Sequence, residues 1–145
     1  VAEDVAFGPL NLGRPIEEAR RSVDEALDML GLDGFQSRVT HKLSAGEKRM
    51  VALASVLVME PAVLLLDEPT AGLDAPYRER LIAVLMSLDC ALLTASHDTP
   101  FCAAVTDRTL VLENGVLTRN ASSSISRIPA PQNQEVSTSQ EPPAV

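Results

Sequence analysis

Val63-Leu64-Leu65-Leu66-Asp67-Glu68-Pro69-Thr70-Ala71-Gly72-Leu73-Asp74 is the stretch on which the fold turns. Its four leading apolar residues have no polar interruption and are too few for a core helix. They predict a short buried strand of a parallel sheet. The strand stops at two acids and a proline. In open α/β sheets, ligands bind outside the carboxyl ends of the strands, so Asp67 and Glu68 stand where a ligand would be met. Magnesium takes oxygen ligands and keeps several waters, so Asp67 alone could hold it. Glu68 could then polarise an attacking water. Two solvated acids in a loop is the plainer reading of Leu-Leu-Leu-Asp-Glu taken alone. Pro69-Thr70 and Gly72-Leu73-Asp74 favour the sharper one, because a restricted turn then carries a third acid back toward the strand end.

Downstream, Asp74 is a plausible cap for a helix over about Ala75 to Leu88, with Pro76 in its first turn. Cys90 to Ala95 predicts a second buried strand, ending at Ser96-His97. Taken alone, His97 reads as a strand-end histidine satisfied by a backbone group. Thr99-Pro100 opens a short helix through about Val105. Thr109–Leu112 and Val116–Leu117 predict a hairpin around Glu113-Asn114-Gly115. From Asn120 onward six Ser, four Pro, three Gln and no aromatic residue predict a disordered tail over 120–145. Helices alternating with buried strands imply an α/β fold with a parallel sheet.

Upstream, Gly8, Pro9, Gly13 and Pro15 mark residues 1–15 as loop. Ile16, Ala19, Val23, Leu27 and Leu30 fall at helical spacing, and Gly31 is a natural stop. Residues 31–43 read as irregular. Ser44 and Glu47 form the Ser-x-x-Glu pattern of a capping box, starting a helix that is halted near Met59 by Glu60-Pro61. Leu43-Ser44-Ala45-Gly46-Glu47 also offers free N–H groups and the positive end of a helix dipole to an anion. On these five residues alone, an ordinary capped helix serves as well.

Composition narrows the classes. Apolar residues make up 46% of the 145, enough for a sizeable core, and the formal charge of -8 argues against a nucleic-acid surface. No apolar run approaches the ~18 residues of a membrane span, and no signal-peptide pattern opens the chain. Cys90 and Cys102 lack metal-ligand spacing and read as reduced core thiols of a cytoplasmic protein. His41 reads as a surface residue.

The ordered series is more specific than its parts. Leu-Ser-Ala-Gly-Glu at 43–47, four apolar residues before Asp67-Glu68-Pro69-Thr70-Ala71-Gly72-Leu73-Asp74, and a strand ending in His97 together resemble the ATP-binding-cassette (ABC) ATPase family. The resemblance covers roughly 1–118. It implies the C-terminal part of a P-loop NTPase-like domain, over 1–119. Part of the helical subdomain would occupy about 1–60, and the segment from the second Walker motif to the switch histidine about 61–119. Leu43–Glu47 would be the signature loop, with Ser44, Ala45, Gly46 and Glu47 at the terminal phosphate of ATP held by a second ATPase subunit of a homo- or heterodimer. Asp67 would act on Mg2+, Glu68 would be the catalytic base, Asp74 would belong to the loop crossing the dimer interface, and His97 would contact the terminal phosphate.

Glu3-Asp4-Val5-Ala6-Phe7-Gly8-Pro9 and Gly46-Glu47-Lys48-Arg49 are similar to the cobalt, nickel and vitamin importers of the energy-coupling-factor branch. That branch implies a transmembrane coupling protein and a substrate-capture protein as partners, at the cytoplasmic face of the membrane, and no nucleic acid. The resemblance also has gaps. None of the seven glycines opens the phosphate-cradling pattern Gly-x4-Gly-Lys-Ser/Thr, and no glutamine loop precedes the signature. Both lie upstream in the family, and the first residue is Val, so the chain is expected to be a fragment, or a remnant that only binds a partner. Alone it is expected to bind ATP weakly and not to turn it over. Ala45 stands where Gly is commoner. Glu47 stands where Gln is commoner, and the capping box predicts that its carboxylate turns back to Ser44 rather than toward a phosphate. A DNA-repair ATPase shares these motifs, but its basic surface and coiled-coil insertion have no counterpart here.

Overall fold

The computed structural model describes residues 1–119. The expected tail over 120–145 lies outside them. The first difference from the sequence reading comes at once: Ala2–Asn11 is a helix, α1, rather than a loop. Glu3 and Asp4 favour the positive end of its dipole, and its Val5 and Pro9 are buried. Gly8 is a packing position, not a turn. A Cβ there would lie 2.6 Å from the Met59 sulfur, so the missing side chain lets α1 close on the end of a later helix. The turn itself is made at Gly13, where φ is +80°.

Helix α2, Ile16–Met29, follows the predicted spacing and buries Ala19, Val23, Ala26 and Leu27. Ile16, counted with that stripe, is exposed. Gly31 ends the helix with φ +69°. Its N–H donates to Asp28 and that of Leu32 to Leu27, the paired bonds of a Schellman stop. Leu32 is itself fully buried, which supplies the hydrophobic contact that such stops favour. Over 31–43 the chain is irregular save for one 3-10 turn at Thr40–Lys42. Helix α3, Ala45–Leu57, then carries Met50, Val51, Leu53, Ala54 and Leu57 into the core. It is followed by Glu60, held at φ +52° before Pro61.

Strand β1 is Val63–Asp67, helix α4 Ala75–Ser87, strand β2 Ala91–Ala95 and helix α5 Thr99–Val105. Strands β3, Leu110–Glu113, and β4, Val116–Arg119, form the predicted antiparallel hairpin. β1 and β2 are parallel, with Leu64 opposite Leu92 and Asp67 opposite Ala95. The α/β reading holds. The burial of these strands is one-sided, however. Leu64 is 2% exposed and joins Leu27, Leu30, Met50 and Phe101 in one core, whereas Val63, Leu65 and Leu93 are 56%, 69% and 66% exposed. A strand alternates its side chains between faces, and among the described residues helices cover only one face of this pair.

Candidate functional site

The site begins with the register of two strands. Because β1 and β2 run parallel with Asp67 opposite Ala95, their carboxyl ends arrive side by side. The Glu68 N–H donates to the Ala95 carbonyl at 2.8 Å, extending the ladder by one bond. Glu68 then adopts φ +43°, a conformation that side-chain-bearing residues seldom take. Such strain in a non-glycine residue needs compensation from its surroundings. The Glu68 carbonyl supplies part of it, accepting from the Arg49 guanidinium at 2.6 Å and from the Ala71 N–H at 3.2 Å. Arg49 thereby ties α3 to the acid turn.

The Glu68 carboxylate faces β2. One oxygen, Oε1, accepts from the His97 N–H at 3.1 Å and lies 2.8 Å from His97 Nδ1. The other accepts from the Ser96 hydroxyl at 3.3 Å. The hydrogen bond from the His97 side chain is the main reason that the carboxyl sits below its ordinary range, with the His97 N–H adding to it. Glu68 is therefore ionised at neutral pH. The His97 side chain is 88% exposed, so it is held at one edge only and its other edge faces solvent. Two residues 29 apart in sequence thus form one acid–histidine pair.

Asp67 is exposed at the end of β1 and accepts no hydrogen bond among the described residues. Asp74 does not join Asp67 and Glu68 in a set of three side chains that could hold a metal. Asp74 instead accepts from the Tyr77 N–H at 3.1 Å and caps α4, the second role read from its position. No three His, Cys, Asp or Glu side chains among the described residues converge to hold a metal. A magnesium ion here would rest on Asp67 with waters and ligand oxygens, which suits its preference for few protein ligands.

The Leu43–Glu47 loop is built as predicted. Ser44 Oγ accepts from the Glu47 N–H at 3.2 Å, and Glu47 Oε2 accepts from the Ser44 N–H at 2.7 Å. Arg38 adds an ion pair to Glu47 at 3.3 Å. The Glu47 carboxyl is held below its ordinary range, first by the Ser44 N–H. It is occupied within the chain by the Ser44 N–H and Arg38. The first-turn amides of Ala45 and Gly46 have no intrahelical acceptor. A Cβ on Gly46 would make only ordinary contacts, 3.5 Å from Tyr77 and 3.7 Å from Leu73. The chain itself therefore leaves room for alanine at 46. Replacing Ser44 with Ala removes the cap oxygen and is expected to cost about 1 kcal/mol, measurable by urea unfolding.

Sequence reasoning missed Arg78 and Asp98. Arg78 Nε donates to Asp98 Oδ2 at 3.0 Å and Nη2 to Oδ1 at 2.9 Å. Asp98 Oδ1 also accepts from the Phe101 N–H at 3.0 Å and caps α5. The Arg78 guanidinium, with the Phe101 N–H, holds the Asp98 carboxyl down at about 2. A carboxyl depressed in the folded state stabilises the fold above its ordinary range and loses that contribution as it protonates. Thermal stability should thus fall as pH drops from 3.8 toward about 2. Asp98→Asn should flatten that fall, as thermal melts across the window would register. Cys90 and Cys102 are free and half-buried, and burial is the main cause that raises the Cys102 thiol. His41 is exposed, as read.

The family model described as ABC transporter matches residues 1–71. The cobalt import ATP-binding protein CbiO of Rhodobacter capsulatus is 46% identical over 129 residues, which cover 86% of this chain and 46% of that protein. The energy-coupling factor transporter ATP-binding protein EcfA of Methanothermobacter thermautotrophicus is 42% identical over 120 residues, covering 81% of this chain and 39% of that protein. Among solved structures, cbiO1 of Clostridium perfringens, part of the ABC transporter complex cbiONQ, superposes with a TM-score of 0.69 at 39% identity. It covers 79% of this chain and 47% of that one. The chain spans less than half the length of the relatives it matches here.

Proposed function

From the premise that this chain belongs to the ABC transporter ATPase family, we propose that it is the C-terminal part of the ATP-hydrolysing subunit of an importer for a metal ion, cobalt or nickel, or for a vitamin. The observation that carries this reading is the Glu68–His97 pair, held at 2.8 Å across the ends of two parallel strands. Glu68, ionised at the end of its strand, is the base that takes a proton from the attacking water. His97 orients Glu68 through Nδ1 and its N–H and keeps its exposed edge for the terminal phosphate. Asp67 is the carboxylate that would hold Mg2+, which would supply positive charge against the charge developing on the phosphate.

The signature role of Ser44, Ala45, Gly46 and Glu47 follows from the same premise. Gly46 is not demanded by packing within the chain, so its smallness serves a ligand that comes close, the phosphate of ATP on a second ATPase subunit. Glu47 contributes by fixing the helix start, not by touching that phosphate. Asp74 caps α4 and places the preceding turn at the same interface. Residues 1–60 belong to the helical subdomain and 61–119 to the catalytic core. The relatives' names, one of them described as part of a transporter complex, support membrane components as further partners; a coupling protein, a substrate-capture protein and the cytoplasmic face of a membrane complete the proposal.

The test is a chimeric subunit in which residues 1–119 replace the matching stretch of the Rhodobacter capsulatus cobalt import protein. ATP hydrolysis within about tenfold of the parent and cobalt-dependent growth are expected. A folded chimera that binds ATP without hydrolysing it would sink the reading in favour of a non-catalytic remnant. The 145-residue chain by itself lacks the phosphate-cradling pattern and is expected to bind ATP no tighter than about 1 mM by calorimetry. Micromolar affinity would contradict that.

A further inference from the structure

We propose that Arg78 is a positioning residue: its guanidinium, locked on Asp98, fixes the turn that presents His97 to Glu68. The proposal rests on the reading of Glu68 and His97 given above. The turn Ser96-His97-Asp98 follows β2, and among the described residues the His97 ring has only Glu68 as a partner. Something else must hold the turn in place, and both residues flanking His97 are tied down. The Ser96 hydroxyl donates to Glu68 and accepts from the Asp98 N–H at 3.1 Å. Asp98 is gripped by both arms of Arg78, at 3.0 and 2.9 Å. Two parallel bonds from a planar fork fix the carboxylate in rotation as well as in position, which a lysine ammonium cannot do.

The fork is rooted on a rigid base. Arg78 lies one turn into α4, and its N–H donates to the Asp74 carbonyl at 2.9 Å. Farther along, Leu81, Val84 and Leu85 bury that helix in the core. α4 starts where the turn after Glu68 ends. One helix therefore references both halves of the pair: Glu68 through the Pro69–Asp74 turn, and His97 through Asp98. The side chains of the bridge are 34% and 21% exposed, so solvent screens it less than a surface pair. A simple clip between α4 and α5 would also use an ion pair. It would not need to fall on the residue next to His97, nor on the oxygen that caps α5.

Amide hydrogen exchange on the 145-residue chain separates the two roles. In Arg78→Ala the His97 N–H should exchange at least about tenfold faster, while the Phe101 N–H, still capped by Asp98, stays within about threefold. Asp98→Asn keeps a capping oxygen and loses the charge, and should give the same selective loss. Unchanged protection at His97, or equal acceleration at His97 and Phe101, would overturn the proposal. In the chimeric subunit, Arg78→Ala should lower kcat about tenfold with KM for ATP within about twofold, and Arg78→Lys should restore only part of the rate. A normal kcat in Arg78→Ala, beside a wild-type chimera that hydrolyses ATP, would also overturn it. A wild-type chimera without activity would remove the ATPase reading instead, and the exchange result alone would then decide whether Arg78 positions His97.

Discussion

Glu68→Gln in the chimeric subunit should lower ATP hydrolysis by at least about a hundredfold and leave ATP binding within about threefold, because a positioned base is worth 100- to 10,000-fold. Gln is nearly isosteric with Glu. Its amide oxygen can still accept from the His97 N–H, so the strand ends and the strained φ of Glu68 are kept. What is lost is the lone pair that takes the proton. Loss of kcat at constant KM is the pattern of an interaction made in the transition state. His97→Ala should also lose rate, through the phosphate contact and through the orientation of Glu68 together, so the double variant should be little worse than the slower single one. The pH dependence adds a separate check. Glu68 is held below its usual range chiefly by the His97 side chain. A base with a depressed carboxyl stays ionised until the pH falls below the ordinary value of 4.5, so hydrolysis should show no acid limb from Glu68 between about pH 5 and 8. A Glu68→Gln chimera retaining half the parent rate would mean that another group accepts the proton.

Most of this site was legible because its parts are local. A capping box spans four residues, and Ser44 to Glu47 declares it. An aspartate before a proline-bearing first turn announces a cap, and Asp74 is one. A short apolar run ending in polar residues marks a strand and its end, and two such runs gave β1 and β2 within a residue of their bounds. What was not legible depends on distance. Arg78 and Asp98 are twenty residues apart, and nothing near either announces the other. Gly8 and Pro9 misled because both carry two meanings. Glycine marks a turn or a close approach, and only the position of the Met59 sulfur decides between them. Proline usually interrupts a helix, yet Pro9 lies buried inside α1, where the chain forgoes the N–H that would reach back to Val5.

The one-sided sheet was the other miss, and it yields the second large effect. Val63, Leu65 and Leu93 lie on the same face of the β1–β2 pair, with Ala91 and Ala95 beside them, all exposed among the described residues. Parallel strands that are apolar on both faces are found with both faces covered. Among the described residues the pair also has two open edges, which can template pairing with another copy. The 145-residue chain is therefore expected to self-associate at micromolar concentration. Leu65→Lys combined with Leu93→Lys should make it predominantly monomeric by sedimentation velocity, because a charge on the free face opposes stacking and costs little in water. In the chimera the same pair should have the opposite effect. There the parent's remaining sequence is expected to cover this face, and burying two unpaired ammonium groups costs several kcal/mol. That is a large share of the roughly 5–15 kcal/mol that holds a domain folded. Soluble expression and ATPase activity should then both fall. The sign reversal is what separates an unfinished sheet from an ordinary exposed surface: a face open to water in both contexts would tolerate the two lysines in both.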